Sequence, residues 1–405
     1  MTPTADIVRK RAANVLDAVR RDEVGVYRMI KQLVATTIKE YRGRFLHELI
    51  QNGYDAHPDG SSDGKIAVHF DETEGQHGVL YVANGGRPLT ESNFLRMASL
   101  GDSDKPIGVG IGNKGVGFKS VFQICDVPEV YSASDGRDPA FGGFSFRFGT
   151  PTDLDHYLAS DDPLRSKIES ELSLSLLTVP LESTPPAVAE FRAQGFVTVL
   201  RLPASSERAA HEIRERLDRL LGSRSPVMLF LDRLESLSIQ TSSATEPTML
   251  TRRHLQDGDS TRVILNDAED FLLFEAAIPH ADLLEALKDA VDEGALDERW
   301  LEWSGEATVS VAVGDGWAIA DPAAFTFLPM GEAATSPLGG HINAPFVTDF
   351  ARLGLDLEQP VDRLMMRRIA EVCVDAADQL MEAGRNAGAV ADLLAWGTAP
   401  RLVDT

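Results

Sequence analysis

Apolar residues recur at spacings of three and four through the start of the chain: Ile7, Ala12, Val15 and Val19, then Val26, Met29, Ile30 and Leu33. That rhythm follows a helical turn and predicts two amphipathic helices over residues 5–40. "FLHELIQNGYDA" continues as a further helix, ending near His57-Pro58. A turn cluster at residues 59–64 separates it from "KIAVHFD" and "GVLYVANGG", whose alternation predicts paired strands. Then come a helical "TESNFLRMASL", a glycine-rich stretch, "GVGIGNKGVGFKS", at residues 108–120, and "KSVFQI", read as the helix that this stretch opens into. Strand-like runs follow at "EVYSA", "GFSFRF" and "FVTVLRL".

Near residues 203–225 the character changes. "SSERAAHEIRERLDRLLGS" reads as a helix with an Arg/Glu-rich face, followed by a strand at "VMLFLD". From there to residue 350 strands and helices alternate: "ESLSIQ", "TMLTRR", "RVILND", "LLFEAAI", a helix near 281–295, "ATVSVAV" and "AFTFLPM". Helical spacing returns over 361–397. A chain of 405 residues is long for one domain. With no internal repeat and no low-complexity linker, the expectation is two closely packed domains, residues 1–215 and 216–405.

Composition narrows the class. Hydrophobic residues at 43% and charged residues at 25% are ordinary for a globular protein with a sizeable core. No apolar run approaches the roughly 18 residues that a membrane span requires. The start of the chain lacks a signal peptide's apolar core, and Asp6 and Asp17 argue against a transit peptide. Cys125 and Cys373 lie far apart in core-like segments and read as reduced thiols of a cytoplasmic protein, not as a disulfide or metal framework. The net charge of −23 opposes sequence-independent binding to nucleic acid. Residues 1–45 run against this trend, with ten Lys/Arg to five Asp/Glu. Such a stretch serves an acidic partner or another subunit, a solvated helix face, or pairing with the protein's own acids.

The glycine stretch imitates two phosphate-binding signatures and matches neither. Gly110 to Gly115 fits G-x-G-x-x-G, but the polar "GDSDKP" stands where a strand must precede the glycines. Gly112 to Ser120 nearly fits G-x-x-x-x-G-K-[ST], but Phe118 separates the last glycine from Lys119. "HELIQ" begins like the zinc motif H-E-x-x-H, with Gln51 where the second histidine belongs.

A different constellation holds. Glu48, Asn52 and Asp55 are spaced i, i+4, i+7 and share one helix face. Unpartnered in a core, each polar group there would cost about 1–3 kcal/mol. Around a hydrated cation the set makes sense: the Asn52 carbonyl suits Mg²⁺, and Glu48 can accept a proton from an attacking water.

"ELIQNGYDA", "VANGGRPLTESNF" and "GIGNKGVGFKSVFQICD", in that order, resemble the GHKL ATPase superfamily of gyrase, heat shock protein 90, histidine kinases and mismatch-repair ATPases. Within it, residues 35–205 look most like the heat shock protein 90-like, sacsin-type ATP-binding domains. The resemblance implies an α+β fold: a Bergerat-type α/β sandwich with a mixed, mainly antiparallel sheet covered by helices, followed by a second α/β domain. It implies Glu48 as the general base and Asn52 as the Mg²⁺ ligand, with Asp55 and Ala56 at the remaining fixed positions of that helix. Gly112, Asn113, Lys114, Gly115, Val116, Gly117 and Phe118 fall in the motif that closes on ATP phosphates, where glycine permits close backbone approach and exposed N–H groups attract anions. Residues 98–114 take the place of an ATP lid, with Ser103 and Lys105 near the nucleotide. Thr198 matches the threonine on the adenine side.

The second motif departs from the usual D-x-G-x-G. Counting back from Thr90 puts Asn84 at the aspartate, Gly86 at the first glycine and Pro88 at the second. The resemblance implies that Asn84 would accept a hydrogen bond from the adenine amino group, without the charge-assisted part. A one-residue slip would put Ala83 there instead. "AFTFLPMGEAATSPLGGHINAPFVTDFARLGLD" resembles the segment that follows the ATPase domain in sacsin-like proteins. It offers Arg352 as the cation that reaches the γ-phosphate from outside the pocket, or else as a structural ion-pair residue. His341 reads as a structural residue at a strand edge.

The expected function is a slow, Mg²⁺-dependent ATP hydrolase that uses lid closure to act on a protein client, as chaperones do. The alternative is a low-turnover switch whose nucleotide-dependent homodimerisation regulates a partner, for instance in bacterial defence or DNA handling. Kinase activity fits less well, because the superfamily's histidine kinases usually carry Asn where Glu48 stands. A topoisomerase or mismatch-repair role sits poorly with the acidity.

Overall fold

A computed structural model describes residues 3–40, 43–99, 117–159, 162–222, 226–241, 246–257, 260–330, 334–347, 357–382, 384 and 387–396. These form two compact units. The first runs to residue 221 and takes back residues 236–249; the second holds 226–235 and the chain from 250 onward.

The first unit opens with helices α1 (Pro3–Arg21), α2 (Val26–Glu40) and α3 (Phe45–Asp55). Asp22 ends the α1–α2 turn: one oxygen accepts from the N–H groups of Gly25 and Val26, the other from Tyr27. Strands β1 (Gly64–Asp71) and β2 (Val79–Asn84) form the expected pair, and it is antiparallel. Helix α4 (Glu91–Ala98) starts at a reciprocal cap, in which Thr90 and Asn93 satisfy each other's backbone N–H. After it come β3 (Glu129–Ser132), β4 (Phe146–Phe148), α5 (Pro163–Glu171), β5 (Thr178–Pro180), α6 (Pro186–Ala193), β6 (Thr198–Pro203) and α7 (Glu207–Gly222). β7 (Leu234–Gln240) completes the sheet beside β1, giving the order β7-β1-β2-β6-β3-β4-β5. The registered pairs from β1 to β5 are all antiparallel.

Both faces of this sheet are covered. On one, Ala67, Tyr81, Ala83, Tyr131 and Val199 pack under Val188 and Phe191 of α6. Helix α3 covers the other face, and β2 is buried along almost its whole length. Helix α1 packs against α5 and the chain before β5 through Val15, Val19, Leu164, Ile168 and Leu177. Much of the N-terminal basic charge meets the protein's own acids: Arg28 pairs with Glu171 at 2.7 Å and Arg9 with Asp6 at 3.2 Å. The apolar stripe expected to anchor α2 instead faces outward in this unit, with Met29 68% and Leu33 57% exposed.

The second unit carries β8 (Thr248–Asp257), β9 (Ser260–Leu265), β10 (Glu269–Ile278), α8 (His280–Asp292), β11 (Ala307–Gly314), β12 (Ala324–Thr326), β13 (Leu328–Pro329), β14 (His341–Asn343), α9 (Pro360–Glu382) and α10 (Ala387–Leu394). Its strands run β13-β12-β14-β11-β10-β9-β8, and β12–β14 is a parallel pair. Helices α8 and α9 bury Leu283, Leu287, Met365, Ile369 and Cys373 with Val309 and Val311 of β11. The described residues are thus α+β, with mainly antiparallel sheets.

Three local expectations change. "VMLFLD" is a run of buried turns, not a strand: Leu229 N–H bonds Pro226 O at 3.0 Å, and Arg252 Nε takes the Leu229 carbonyl at 3.1 Å. A short apolar run reports burial, not periodicity. "KSVFQI" belongs to a 3₁₀ helix, Gly117–Gln123. "AFTFLPM" breaks into β12 and β13 at Phe327, whose φ of 62° ends the first strand. No helix among the described residues is long and apolar enough to cross a membrane.

Candidate functional site

Helix α3 forms because Phe45, Leu46, Leu49, Ile50 and Tyr54 give it one continuous buried stripe. Its polar face begins at the stripe's edge. Glu48 is buried, Asn52 one turn on is exposed, and Asp55 is half-buried. Asn52 is therefore the most open of the three, between a buried and a half-buried carboxylate on one side of the helix. The Glu48 carboxylate lies 3.5 Å from Nη2 of Arg44, one turn earlier. Gln51, which stood in the zinc look-alike, is wholly buried.

The helix meets the sheet at Gly53. A side-chain carbon there would come within 2.8 Å of Ile66 Cδ1 and 3.5 Å of Asn84 Cβ, so the bare glycine lets the helix backbone lie close to the strands. His57 fixes the helix end: its Nδ1 lies 2.8 Å from Gly53 O, and its Nε2 lies 3.2 Å from Lys65 N. The Lys65 N–H can only donate, so Nε2 accepts and the proton sits on Nδ1, donating to Gly53 O.

Beneath α3 a row of residues crosses four strands. Ile66 pairs with Asn84, Asn84 with Thr198, and Thr198 with Ser132, so all four side chains share the face toward the helix. Nδ2 of Asn84 donates to Gly85 O at 2.6 Å, leaving its Oδ1 as the acceptor. Ser132 accepts from Leu89 N at 2.9 Å and donates to Ala133 O at 3.2 Å. The Thr198 hydroxyl lies 3.4 Å from that of Ser132. Ser132 had no place in the motif argument. Its only signal in "EVYSA" is a hydroxyl two positions after Val130, on the buried side of a strand.

Gly86 locks the loop after β2 onto the end of α3. Its φ is 77°, and a Cβ there would stand 2.5 Å from Ala56 O and 2.8 Å from Ala56 C. The next residue, Arg87, donates its N–H to the same carbonyl at 2.8 Å. The structure therefore sets the C-terminal end of α3, with Asp55, against Asn84 and Gly86, and Asn84 beside Thr198, while Asn52 faces solvent and Glu48 stands in the first turn of α3 beside Arg44.

Gly117 and Phe118 start the 3₁₀ helix, which packs against α3. Phe118 and Phe122 both contact Phe148, at 5.7 and 5.2 Å between ring centres. The seven-residue 3₁₀ segment replaces the α-helix on which the phosphate-facing N-terminus was expected. Consecutive burial of Lys119, Ser120 and Val121 leaves no amphipathic α face to bury. Lys119 turns into the core and away from solvent. Ser103, Lys105, Gly112, Asn113, Lys114, Gly115, Val116 and Arg352 lie outside the described residues.

Two other polar groupings belong to the architecture. On the sheet face opposite α3, Arg201 bonds Glu74 and Glu129, each at 2.7 Å, and these carboxylates accept the hydroxyls of Tyr81 and Tyr131. Burial, followed by these carboxylates, pushes both phenols well above their ordinary range. His341 accepts the Ala323 N–H at Nδ1, 3.1 Å away, and burial holds its pKa down near 4. β14 lies between β11 and β12, so His341 occupies an interior strand and not the expected edge. Among the described residues no three His, Cys, Asp or Glu side chains are grouped to hold a metal ion.

No family model matches the chain. It is similar to Protein NO VEIN of Arabidopsis thaliana, with 28% identity over 169 residues that cover 36% of this chain and 6% of that protein.

Proposed function

We propose that the first unit is a Mg²⁺-dependent ATP-binding domain of the GHKL type with a Bergerat arrangement, and that the chain is a slow ATPase of the heat shock protein 90-like, sacsin-type branch acting on a protein client. The observation that carries this reading is the close seating of α3, the helix that bears Glu48 and Asn52, at Gly53 on the strand row Asn84–Thr198–Ser132. A helix that carries a carboxylate and an amide thus packs on a strand row that offers one acceptor and two hydroxyls.

In this reading the Asn84 Oδ1 accepts from the adenine amino group, with Thr198 and Ser132 holding that side. The described donors fit Mg²⁺: an exposed amide oxygen on Asn52 leaves room for the waters and phosphate oxygens that this ion keeps, and no cage of carboxylates is required. When bound, the ion neutralises phosphate charge. Glu48, anchored by Arg44, accepts the proton of the attacking water.

The test is calorimetric titration with ATP, ADP and GTP, with and without Mg²⁺, followed by turnover of wild type and Glu48→Ala. Mg²⁺-dependent ATP binding in both, with turnover in wild type alone, supports the proposal. Absence of nucleotide binding at millimolar concentrations refutes it. The exposed α2 stripe of Val26, Met29 and Leu33 favours the second reading, a nucleotide-dependent dimerisation switch. Light scattering that detects an ATP-dependent dimer without turnover would select it.

A further inference from the structure

Lys119 retains 1% of its surface exposed, yet ends in an amine. Its Nζ donates to Met97 O at 2.8 Å and to Ser175 O at 2.7 Å, and stands 4.8 Å from the centre of the Phe148 ring. Two neutral carbonyls and two ring faces, the second that of Phe122 at 5.7 Å, are meagre compensation for a charge withdrawn from water. The surrounding elements add little. Helix α1 brings Arg11, a like charge, and α4 brings the Met97 carbonyl. The turn Leu174–Leu176 brings the Ser175 carbonyl. β4 brings Phe148, while its charged Arg147 alternates to the other side and pairs with Asp153. Burial, and then repulsion from Arg11, lower the Lys119 pKa to about 7.

We propose that Lys119 is a proton-linked latch: closed, its amine joins the last turn of α4 to the 3₁₀ helix Gly117–Gln123 and to the turn Leu174–Leu176, and opening delivers the amine to water, where it takes up a proton. A neutral amine keeps two N–H donors, so both carbonyl bonds survive in the closed state without the charge. The sign follows from where the proton is held. An amine in water binds it with the ordinary lysine affinity, near pKa 10.4, whereas the closed amine binds it far more weakly. Through the neutral and mildly alkaline range, opening therefore consumes a proton. Each unit rise in pH makes the open form about tenfold rarer, and below about pH 7 the dependence flattens. Acid loosens the latch and alkali tightens it. In sequence, Met97 and Lys119 stand on either side of the glycine-rich stretch, so the latch sets the distance between the points where the chain enters and leaves it.

The test is hydrogen exchange on the full chain from pH 6 to 9, corrected for intrinsic rates, at the amides of residues 94–99 and 119–123. Wild type is expected to show an opening equilibrium that falls about tenfold per pH unit above 7. Lys119→Met and Lys119→Arg should show no such slope, because neither exchanges a proton in this range. Should a variant fail to fold, a carbon-13 titration of lysine Cε in the wild type replaces it: Lys119 is expected to titrate near neutrality, apart from the other lysines. Titration together with the exposed lysines, a flat wild-type exchange profile, or a slope that persists in Lys119→Met would each overturn the latch.

Discussion

Gly86 offers a sharp test of how the site is held together. Replacing it with alanine forces a side-chain carbon into a left-handed backbone with φ of 77°, 2.5 Å from Ala56 O and 2.8 Å from Ala56 C. The conformation alone costs about 1–2 kcal/mol for a residue with a Cβ. The overlap is with backbone, so the loop must lift off α3, and the 2.8 Å bond from Arg87 N to Ala56 O is lost. That bond contributes about 1 kcal/mol. The expected destabilisation is therefore about 2–4 kcal/mol, a large fraction of a stability of roughly 5–15 kcal/mol. Gly60→Ala supplies the control, because Gly60 has nearly the same φ, 75°, with nothing within 4 Å. Urea unfolding of the two variants separates strain from overlap: Gly86→Ala should lose at least about 1 kcal/mol more than Gly60→Ala. ATP affinity, measured calorimetrically, should fall in Gly86→Ala and hold in Gly60→Ala. Equal unfolding midpoints for the two would refute the close approach of the β2 loop to α3.

Four further outcomes are expected. Glu48→Gln should reduce ATP turnover at least about a hundredfold while leaving ATP binding within a few-fold, as removal of a general base does; undiminished turnover contradicts the role. Asn84→Asp should increase the preference for ATP over GTP, read by competitive calorimetry, because a charged acceptor strengthens the bond to the adenine amino group. Arg147 grips Asp153 at 2.6 Å; burial pushes this carboxyl up, but the bonds from Arg147 and Thr150 outweigh it and hold the pKa at about 2. Since this pKa is depressed, the stabilisation is present above about pH 4 and is lost as pH falls toward 2. Asp153→Asn should therefore cost about 2 kcal/mol in urea unfolding at pH 7, a gap that closes near pH 2. Cys125 and Cys373 are buried, and burial raises both thiols, Cys373 to about 12. Neither should be alkylated in the folded chain at pH 8, and both should react in urea, as mass spectrometry would register.

The sequence carried the elements whose periodicity is strong. Helices α1, α3 and α7 and the β1–β2 pair stand where spacing and alternation put them, because each buries a single continuous face. What failed were runs in which burial has no period. The five apolar residues from Val227 to Leu231 are all buried, yet they turn. The α2 stripe has ideal spacing, but spacing states which residues share a face and not whether that face is covered. At the site, Glu48, Asn52 and Asp55 were legible because one helix carries them. That their helix packs on the strand of Asn84, next to that of Thr198, was indicated only by the motif resemblance. Ser132 escaped altogether, because it reaches the row by pairing with Thr198, 66 positions further along the chain. No local pattern records a partner at that distance.

β7 has a practical consequence for dissecting the protein. It stands at the border of the first unit's sheet, although α7 and a run of buried turns separate it in sequence from the rest of that unit. Across it, Ser238 meets His69 of β1 at 2.7 Å. A truncation after α7 therefore yields a fragment that lacks its outermost strand. β1 would then present bare N–H and C=O groups along an edge rich in Ile66, Val68 and Phe70, a template for strand addition between molecules. An expression fragment of the first unit should extend to residue 249. The shorter one is expected to precipitate for reasons unrelated to its chemistry.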